Sequence, residues 1–105
     1  MRGMGNMQGM MKKVQKMQKE MEQAQQELNA KEFTGTANGD LVTVTFTGDK
    51  KMTAVAIKPE VMDPEDSGIL EDLILLATND ALAKVEAESE KVMGKYTNGL
   101  NIPGL

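Results

Sequence analysis

The segment that decides the fold is Glu32–Lys58, which reads EFTGTANGDLVTVTFTGDKKMTAVAIK. It is rich in threonine and β-branched residues, and its apolar side chains recur at every second position, a period that predicts half-buried strands. Three runs carry this pattern: Glu32–Ala37, Leu41–Thr47 and Met52–Lys58. The short connections between them predict an antiparallel meander with one apolar face that another element must cover.

Both connections within the segment predict tight turns. Asn38-Gly39 is a strong two-residue hairpin signal and is typical of a type I′ turn, and Gly48–Lys51 predicts the second turn. The alternation also predicts which side chains share a face, because successive residues of a strand point to opposite sides. The residues expected on one face are Val42, Val44 and Phe46 in the second strand, and Thr53, Val55 and Ile57 in the third.

A long amphipathic helix is predicted before the meander. Its apolar residues are spaced alternately by three and four positions, as in the a and d positions of a heptad seam. The seam residues are Met7, Met10, Val14, Met17, Met21, Ala24 and Leu28. The helix is roughly 33 Å long at about 1.5 Å per residue, whereas a compact domain of about 100 residues has a radius of gyration of about 13 Å, so it should project. The seam is expected to pack on the second helix, on a partner's first helix, or on both, and residues 1–6 are expected to fray.

A second helix is predicted after the meander. Pro59 should stop the third strand, and Asp63–Ser67 combines a proline with acidic and capping side chains that favour a helix start. The helix is predicted to run to about Met93, where Gly94 would end it.

The second helix carries the strongest sign of self-association. Apolar residues cover most of its circumference, and one three-stranded sheet cannot bury them all, so we expect a homodimer. The expected interface residues are Leu70, Leu73, Ile74, Leu75, Leu76, Ala77, Ala81 and Leu82. Asn79 and Asp80 lie within this apolar stretch and are expected to cap a strand end or to bridge subunits, because buried polar groups need partners.

The charge of the chain is divided unevenly. Its net charge is -4, yet the first 19 residues hold five basic and no acidic side chains. Lysines on an exposed helix face bind DNA phosphates without reading the base sequence, and the lysines of the first helix fall away from its apolar seam. The residues expected to contact duplex DNA are Arg2, Lys12, Lys13, Lys16, Lys19, Lys91 and Lys95. Aromatic residues make up only 3% of the chain, which argues against base stacking on single strands.

The composition argues against an enzyme. The chain has no Cys and no His, which removes disulfides, thiolate chemistry, the commonest general base and the commonest metal ligand. Its acidic residues fit helix starts or exposed faces, and no nucleophile or phosphate-binding glycine loop accompanies them. We therefore expect no catalytic site, no metal, no cofactor and no small-molecule substrate. No apolar run reaches the roughly 18 residues that a membrane span needs, so we expect a cytoplasmic protein.

Several stretches resemble the YbaB/EbfC family of bacterial nucleoid-associated proteins. The most specific lie on the second helix, at Leu70–Ile74 (LEDLI) and Ala77–Ala81 (ATNDA). The Met- and Gln-rich opening Met7–Met21 and the ending Gly99–Gly104 are also similar. The likeness covers essentially the whole chain, which we interpret as a single domain, residues 1–105, with flexibility expected in residues 1–6 and 97–105.

The resemblance implies an α+β fold in two layers, helix–three-stranded antiparallel meander–helix, and an intertwined homodimer shaped like tweezers. Its long projecting helices would contact duplex DNA. It also implies a nucleoid-associated protein that alters DNA conformation and contributes to nucleoid organisation and gene regulation. The alternative is a coiled-coil holdase chaperone or protein-interaction module, which would need the methionine seam to be exposed in the free dimer.

Overall fold

The computed structural model describes the backbone of residues 2–100 and the side chains of residues 7–96. One long helix precedes and one follows a three-stranded antiparallel sheet of order β1-β2-β3, which confirms the predicted α+β fold. In chain order the elements are α1 (Arg2–Ala30), β1 (Glu32–Ala37), β2 (Val42–Thr47), β3 (Met52–Ile57), a 3₁₀ turn (Pro59–Val61) and α2 (Ser67–Leu100). The sequence predicts flexibility for residues 1–6 and 97–105. The backbone of residues 2–6 and 97–100 is helical, and the remaining residues of these two segments lie outside the described part of the chain.

The core lies between α2 and one face of the sheet. Every second side chain of β2 is buried, and so is every fourth side chain of α2 from Leu73 to Val85. The predicted alternation of β2 and the predicted core stripe of α2 are therefore confirmed. The buried core residues are Leu28, Phe33, Ala37, Val42, Val44, Phe46, Val61, Leu73, Ala77, Ala81 and Val85.

α2 approaches the sheet closely at Gly35, in the middle of β1. A Cβ atom built on Gly35 would lie under 3.0 Å from the backbone O of Ala77 and from the backbone N of Ala81. Both alanines are fully buried, so small residues on the helix and the strand allow the two backbones to meet. This contact sets α2 directly above β1.

Two side chains of α2 reach past the core to the outer edge of β1. Asp80 Oδ2 accepts a hydrogen bond from the backbone N–H of Thr36 at 3.0 Å, and Lys84 Nζ donates one to the backbone O of Thr34 at 2.8 Å. Asp80 and Lys84 also form an ion pair at 3.4 Å. Asp80 therefore binds the edge of β1 instead of capping a strand end, and Asn79 is exposed. Together Asp80 and Lys84 occupy two backbone groups of the β1 edge.

Changing Asp80 to Asn should remove a pH-dependent part of the stability. The hydrogen bond from the Thr36 N–H, helped by the charge of Lys84, lowers the pKa of Asp80 from its ordinary value of 3.8. A carboxyl group whose folded pKa is lowered stabilises the fold above its unfolded pKa, and this contribution is lost as the pH falls through the folded pKa. We expect Asp80→Asn to lower the Tm at neutral pH, and the two proteins to converge below pH 3.8. Thermal unfolding followed by circular dichroism measures this, with exposed Asp72→Asn as the control; an equal Tm difference at both pH values would contradict the assignment.

β3 lies outside the area that α2 covers. Val55 pairs with Val44 and so shares its face of the sheet, yet Val55 is 53% exposed while Val44 is fully buried. Every other β3 residue except Ile57 is also exposed. Within the described chain, β3 therefore keeps an open edge and an apolar face without cover.

The pairing of β2 with β3 contains a bulge that the sequence pattern does not predict. Thr45 pairs with Ala54 and Phe46 pairs with Met52, which leaves Thr53 as the extra residue. The regular alternation predicted for β3 is therefore wrong at Thr53, because Met52 takes the place opposite Phe46.

The first hairpin also differs from the prediction. Ala37 pairs with Val42, so its loop has four residues, 38–41, instead of the two of a type I′ turn. Asn38, Gly39 and Asp40 have left-handed φ angles of 43°, 67° and 67°. Asp tolerates this region better than most residues, so the left-handed run continues one residue past Asn38-Gly39.

Both helices extend further than predicted. α1 begins at Arg2 instead of Met7, and α2 passes through Gly94 and reaches Leu100. A glycine inside a helix costs only about 1 kcal/mol relative to alanine. Among the described residues Gly94 is not one of the glycines with positive φ, so it lacks the geometry of a helix-ending cap.

The inner half of α1 packs on α2, and its outer half projects. Leu28 is buried in the core, and the next three seam residues, Met17, Met21 and Ala24, are half-buried. The ring of Tyr96 on α2 lies beside Glu20–Glu27 of α1. The molecule is 79 Å long. The predicted projection is therefore confirmed, and α2 of the same chain is the partner of the inner seam.

Candidate nucleic-acid interface

Three exposed lysines form a line along the outer half of α1. Lys12, Lys16 and Lys19 are three and four positions apart, the spacing that places residues on one helix face. They line one surface together with glutamines 15 and 18 and, at its inner end, Glu22. Lys16 lies about 200° around the helix from the seam residue Val14, at about 100° per residue. We call Lys12, Lys16 and Lys19 the lysine stripe, and it lies opposite the apolar seam as predicted.

The other two basic residues predicted on α1 lie apart from the stripe. Lys13 is exposed, but it is turned about 100° around the helix from Lys12. Arg2 is the first residue of α1, and its side chain lies outside the described residues.

Several lysines outside α1, on what we call the body of the protein, form ion pairs, whereas the described lysines of α1 do not. On the body, Lys31 is paired with Glu88 at 3.0 Å, and Lys51 with Asp49 at 3.6 Å. No ion pair to Lys12, Lys13, Lys16 or Lys19 is found among the side chains of residues 7–96. These lysines lie on the outer half of α1, which we call the arm, and within the described chain no ion pair neutralises them. Unpaired positive charge of this kind favours binding of a polyanion.

Lys91 lies in a second basic cluster that sequence analysis found only in part. It borders one surface depression with Lys31, which directly precedes β1, and with Lys84 of α2. Hydrogen bonding from Lys31 lowers the pKa of Glu88, which sits in the same depression. Because Glu88 and Asp80 pair with two of its three lysines, this cluster carries less free charge than the arm.

Lys95 is exposed at the far end of α2 and is not part of the Lys91 cluster. Its Nζ lies 5.6 Å from the centre of the Tyr96 ring. That distance is within the range of a cation–π contact.

The described residues offer little for other chemistry. Among them, no group of three acidic, histidine or cysteine residues could hold a metal ion. Within the described chain no helix is long and apolar enough to cross a membrane. The pKa of Asp49 is lowered, chiefly by a hydrogen bond from Thr47, a local interaction in the β2–β3 turn.

The residues predicted for the dimer interface differ in burial within the single chain. Leu73, Ala77 and Ala81 are buried, Leu70, Ile74 and Leu82 are half-buried, and Leu75 and Leu76 are 61% and 54% exposed. The sheet of the same chain already covers the first group. Leu75 and Leu76 offer the most apolar surface to a partner, and the interface itself stays a prediction.

Comparison with known proteins places the chain in a family. The model of the YbaB/EbfC DNA-binding family matches residues 4–100. The chain is 62% identical over 100 residues to a nucleoid-associated protein of Enterococcus faecalis, covering 95% of this chain and 96% of that one. It is 61% identical over 105 residues to a nucleoid-associated protein of Listeria monocytogenes, with 100% of both chains covered. The crystal structure of uncharacterized protein HP0035 from Helicobacter pylori shares the fold, with a TM-score of 0.68 at 22% identity over 78% of this chain and 86% of that one.

Proposed function

The chain belongs to the YbaB/EbfC DNA-binding family, and we propose that it is a nucleoid-associated homodimer whose α1 arms bind duplex DNA. Membership of the family confirms the resemblance noted in the sequence. The observation that carries the proposed mechanism is the unpaired lysine stripe on a projecting helix. Such a dimer would place both arms on one duplex, or one arm on each of two duplexes, and would thereby alter DNA conformation. In the cytoplasm it would contribute to nucleoid organisation and gene regulation.

The lysine stripe supports contact with the DNA backbone. Its side chains form no ion pair in the described chain, whereas residues 20–105 hold more acidic than basic side chains. The arms should therefore attract a polyanion more strongly than the rest of the protein does. An α-helix with its side chains is about 10–12 Å across, close to the roughly 12 Å width of the major groove. The arm can therefore approach a duplex without distorting either partner.

A salt titration tests this mechanism on the unmodified protein. Binding to a fluorescent duplex should be micromolar or tighter at about 50 mM salt. It should weaken by about 1000-fold or more at about 200 mM salt if six or more phosphates are contacted. Affinity that does not change over this range would contradict binding through lysine–phosphate contacts.

We further propose that the dimer forms where β3 of one chain lies beside β3 of the other. Val55 and the open edge of β3 lack cover, whereas Asp80 and Lys84 occupy the β1 edge. Leu75 lies about 140° around α2 from Asp80, on the side away from β1. In a joined sheet it would stand over the paired β3 strands with Leu82, which follows it by one heptad. The exposure of Val55 and Leu75 in the single chain supports this arrangement, because a partner would bury both side chains.

Val55→Lys should separate such a dimer. The new charge would be buried without a partner, which costs about 3–5 kcal/mol, or roughly 100-fold or more in the dimer dissociation constant. Sedimentation equilibrium should show the mass falling from two chains to one. The control is Ala56→Lys, which adds the same charge on the opposite face of the same strand. A Val55→Lys protein that keeps the dimer mass would place the interface elsewhere.

A holdase chaperone remains the second candidate, because the outer part of the α1 seam is exposed in the single chain. Met7 and Met10 are 64% and 66% exposed, and methionine surfaces adapt to varied partners. Suppression of client aggregation that persists after the lysine stripe is neutralised would favour this function over DNA binding.

A further inference from the structure

The outer half of the α1 seam is an apolar surface without a partner in the described chain. Met7, Met10, Met11 and Val14 are each 51–66% exposed. We call these four residues the outer seam. Monomeric proteins rarely leave a continuous apolar surface open, so such a surface usually has an occupant.

The outer seam lies beyond the end of α2. Tyr96 borders a depression with Glu20–Glu27 of α1, centred near residue 23, and α2 continues four residues further, to Leu100. At about 1.5 Å per residue this carries the end of α2 about 6 Å along α1. Because the two helices run in opposite directions, Leu100 comes level with about residue 19 of α1. The outer seam therefore starts about 8 Å ahead of the end of α2.

The residues that follow α2 have the composition and reach to cover this surface. Asn101–Leu105 reads NIPGL, which has no charged side chain and contains the apolar residues Ile102 and Leu105. Five extended residues reach roughly 16 Å at about 3.3 Å each. The same length of helix holds about 11 residues. Counted from about residue 19, this distance ends near residue 9, beside Met10 and Met11 and within one helical turn of Met7.

We propose that residues 101–105 fold back along α1 and pack Ile102 and Leu105 on the outer seam. This strap shields the methionines and leaves the opposite lysine stripe open to solvent. A segment tethered this closely acts at an effective concentration of millimolar order, so it competes well against a separate chain or a lipid surface. The strap is independent of DNA binding and is tested without DNA.

Cysteine cross-linking of the full chain tests the strap, because the protein has no cysteine of its own. The test pair is Met10→Cys with Leu105→Cys, because the fifth extended residue reaches the level of Met10. The control pair is Lys12→Cys with Leu105→Cys, which places the first cysteine about 160° around the helix from Met10. At low protein concentration we expect the test pair to form an intrachain disulfide at least tenfold faster than the control pair. Equal rates, no disulfide, or a disulfide that joins two chains would overturn the proposal.

Methionine oxidation gives a second readout. A chain ending at Leu100 keeps every described element, and its outer-seam methionines should be oxidised by peroxide several-fold faster than in the full chain. Met62, which is similarly exposed at 55% but lies next to the 3₁₀ turn, is the internal control and should react at the same rate in both. Outer-seam rates that do not change on truncation would show that the strap does not cover this surface.

Discussion

Replacing Lys12, Lys16 and Lys19 with glutamine should weaken binding to duplex DNA about 100-fold or more at about 100 mM salt. The proposed dimer would lose six positive charges from its arms, so the slope of log affinity against log salt should become shallower by about 5, at about 0.9 for each lost phosphate contact. Glutamine is a good helix former, and these lysines have no ion pair in the described chain. The fold should therefore be unchanged.

The matched control for this variant changes Lys50, Lys51 and Lys58 to glutamine. These exposed lysines lie around β3 on the body, and the net charge changes by the same amount. We expect an affinity within about threefold of the unmodified protein, because distant charges are screened beyond about 10 Å at this salt. Equal losses in the two variants would mean that net charge, and not the arm, governs binding.

Gly35→Ala is expected to cause the largest loss of stability among single substitutions discussed. The new Cβ would overlap backbone atoms of Ala77 and Ala81, which cannot rotate away as a side chain can. α2 would have to lift from β1, which opens the core and strains the Asp80–Thr36 hydrogen bond. Overpacking of this kind costs about 3 kcal/mol or more, which lowers the Tm by roughly 10–20 °C in a domain of this size.

The control for Gly35→Ala is the same substitution at Gly94. Nothing lies within 4 Å of a Cβ built there, and alanine is favoured over glycine inside a helix by about 1 kcal/mol. Gly94→Ala should therefore raise the Tm by a few degrees in thermal unfolding at equal protein concentration. An unchanged Tm for Gly35→Ala would show that α2 does not need the close approach to β1.

Local periodicity predicted most of the fold. The three strands were placed to within one residue because the alternation in residues 32–58 is nearly unbroken. The bulge at Thr53 and the extension of α2 through Gly94 were missed, because neither depends on the local pattern alone. The exposure of β3 was missed for a related reason: it follows from where Gly35 allows α2 to pack, and a lone glycine carries no such information in sequence.

The candidate site likewise has one part that the sequence predicts and one part that only the fold brings together. The lysine stripe follows from helical spacing, and the structure places those lysines on one face of α1 as predicted. The cluster of Lys31, Lys84 and Lys91 joins residues from two elements that are far apart in sequence. Lys31 and its partner Glu88 are 57 residues apart, so only the packing of α2 on β1 brings them together.

The occupied edge of β1 limits how many chains can assemble. Pairing of β3 with its copy would give a sheet of six strands whose two outer strands are both β1. On each outer strand the Thr36 N–H and the Thr34 C=O are already bound by Asp80 and Lys84, so in the proposed dimer these edges would be poor sites for a third chain. The proposed dimer would then carry two α1 arms, so it could hold at most two duplexes together.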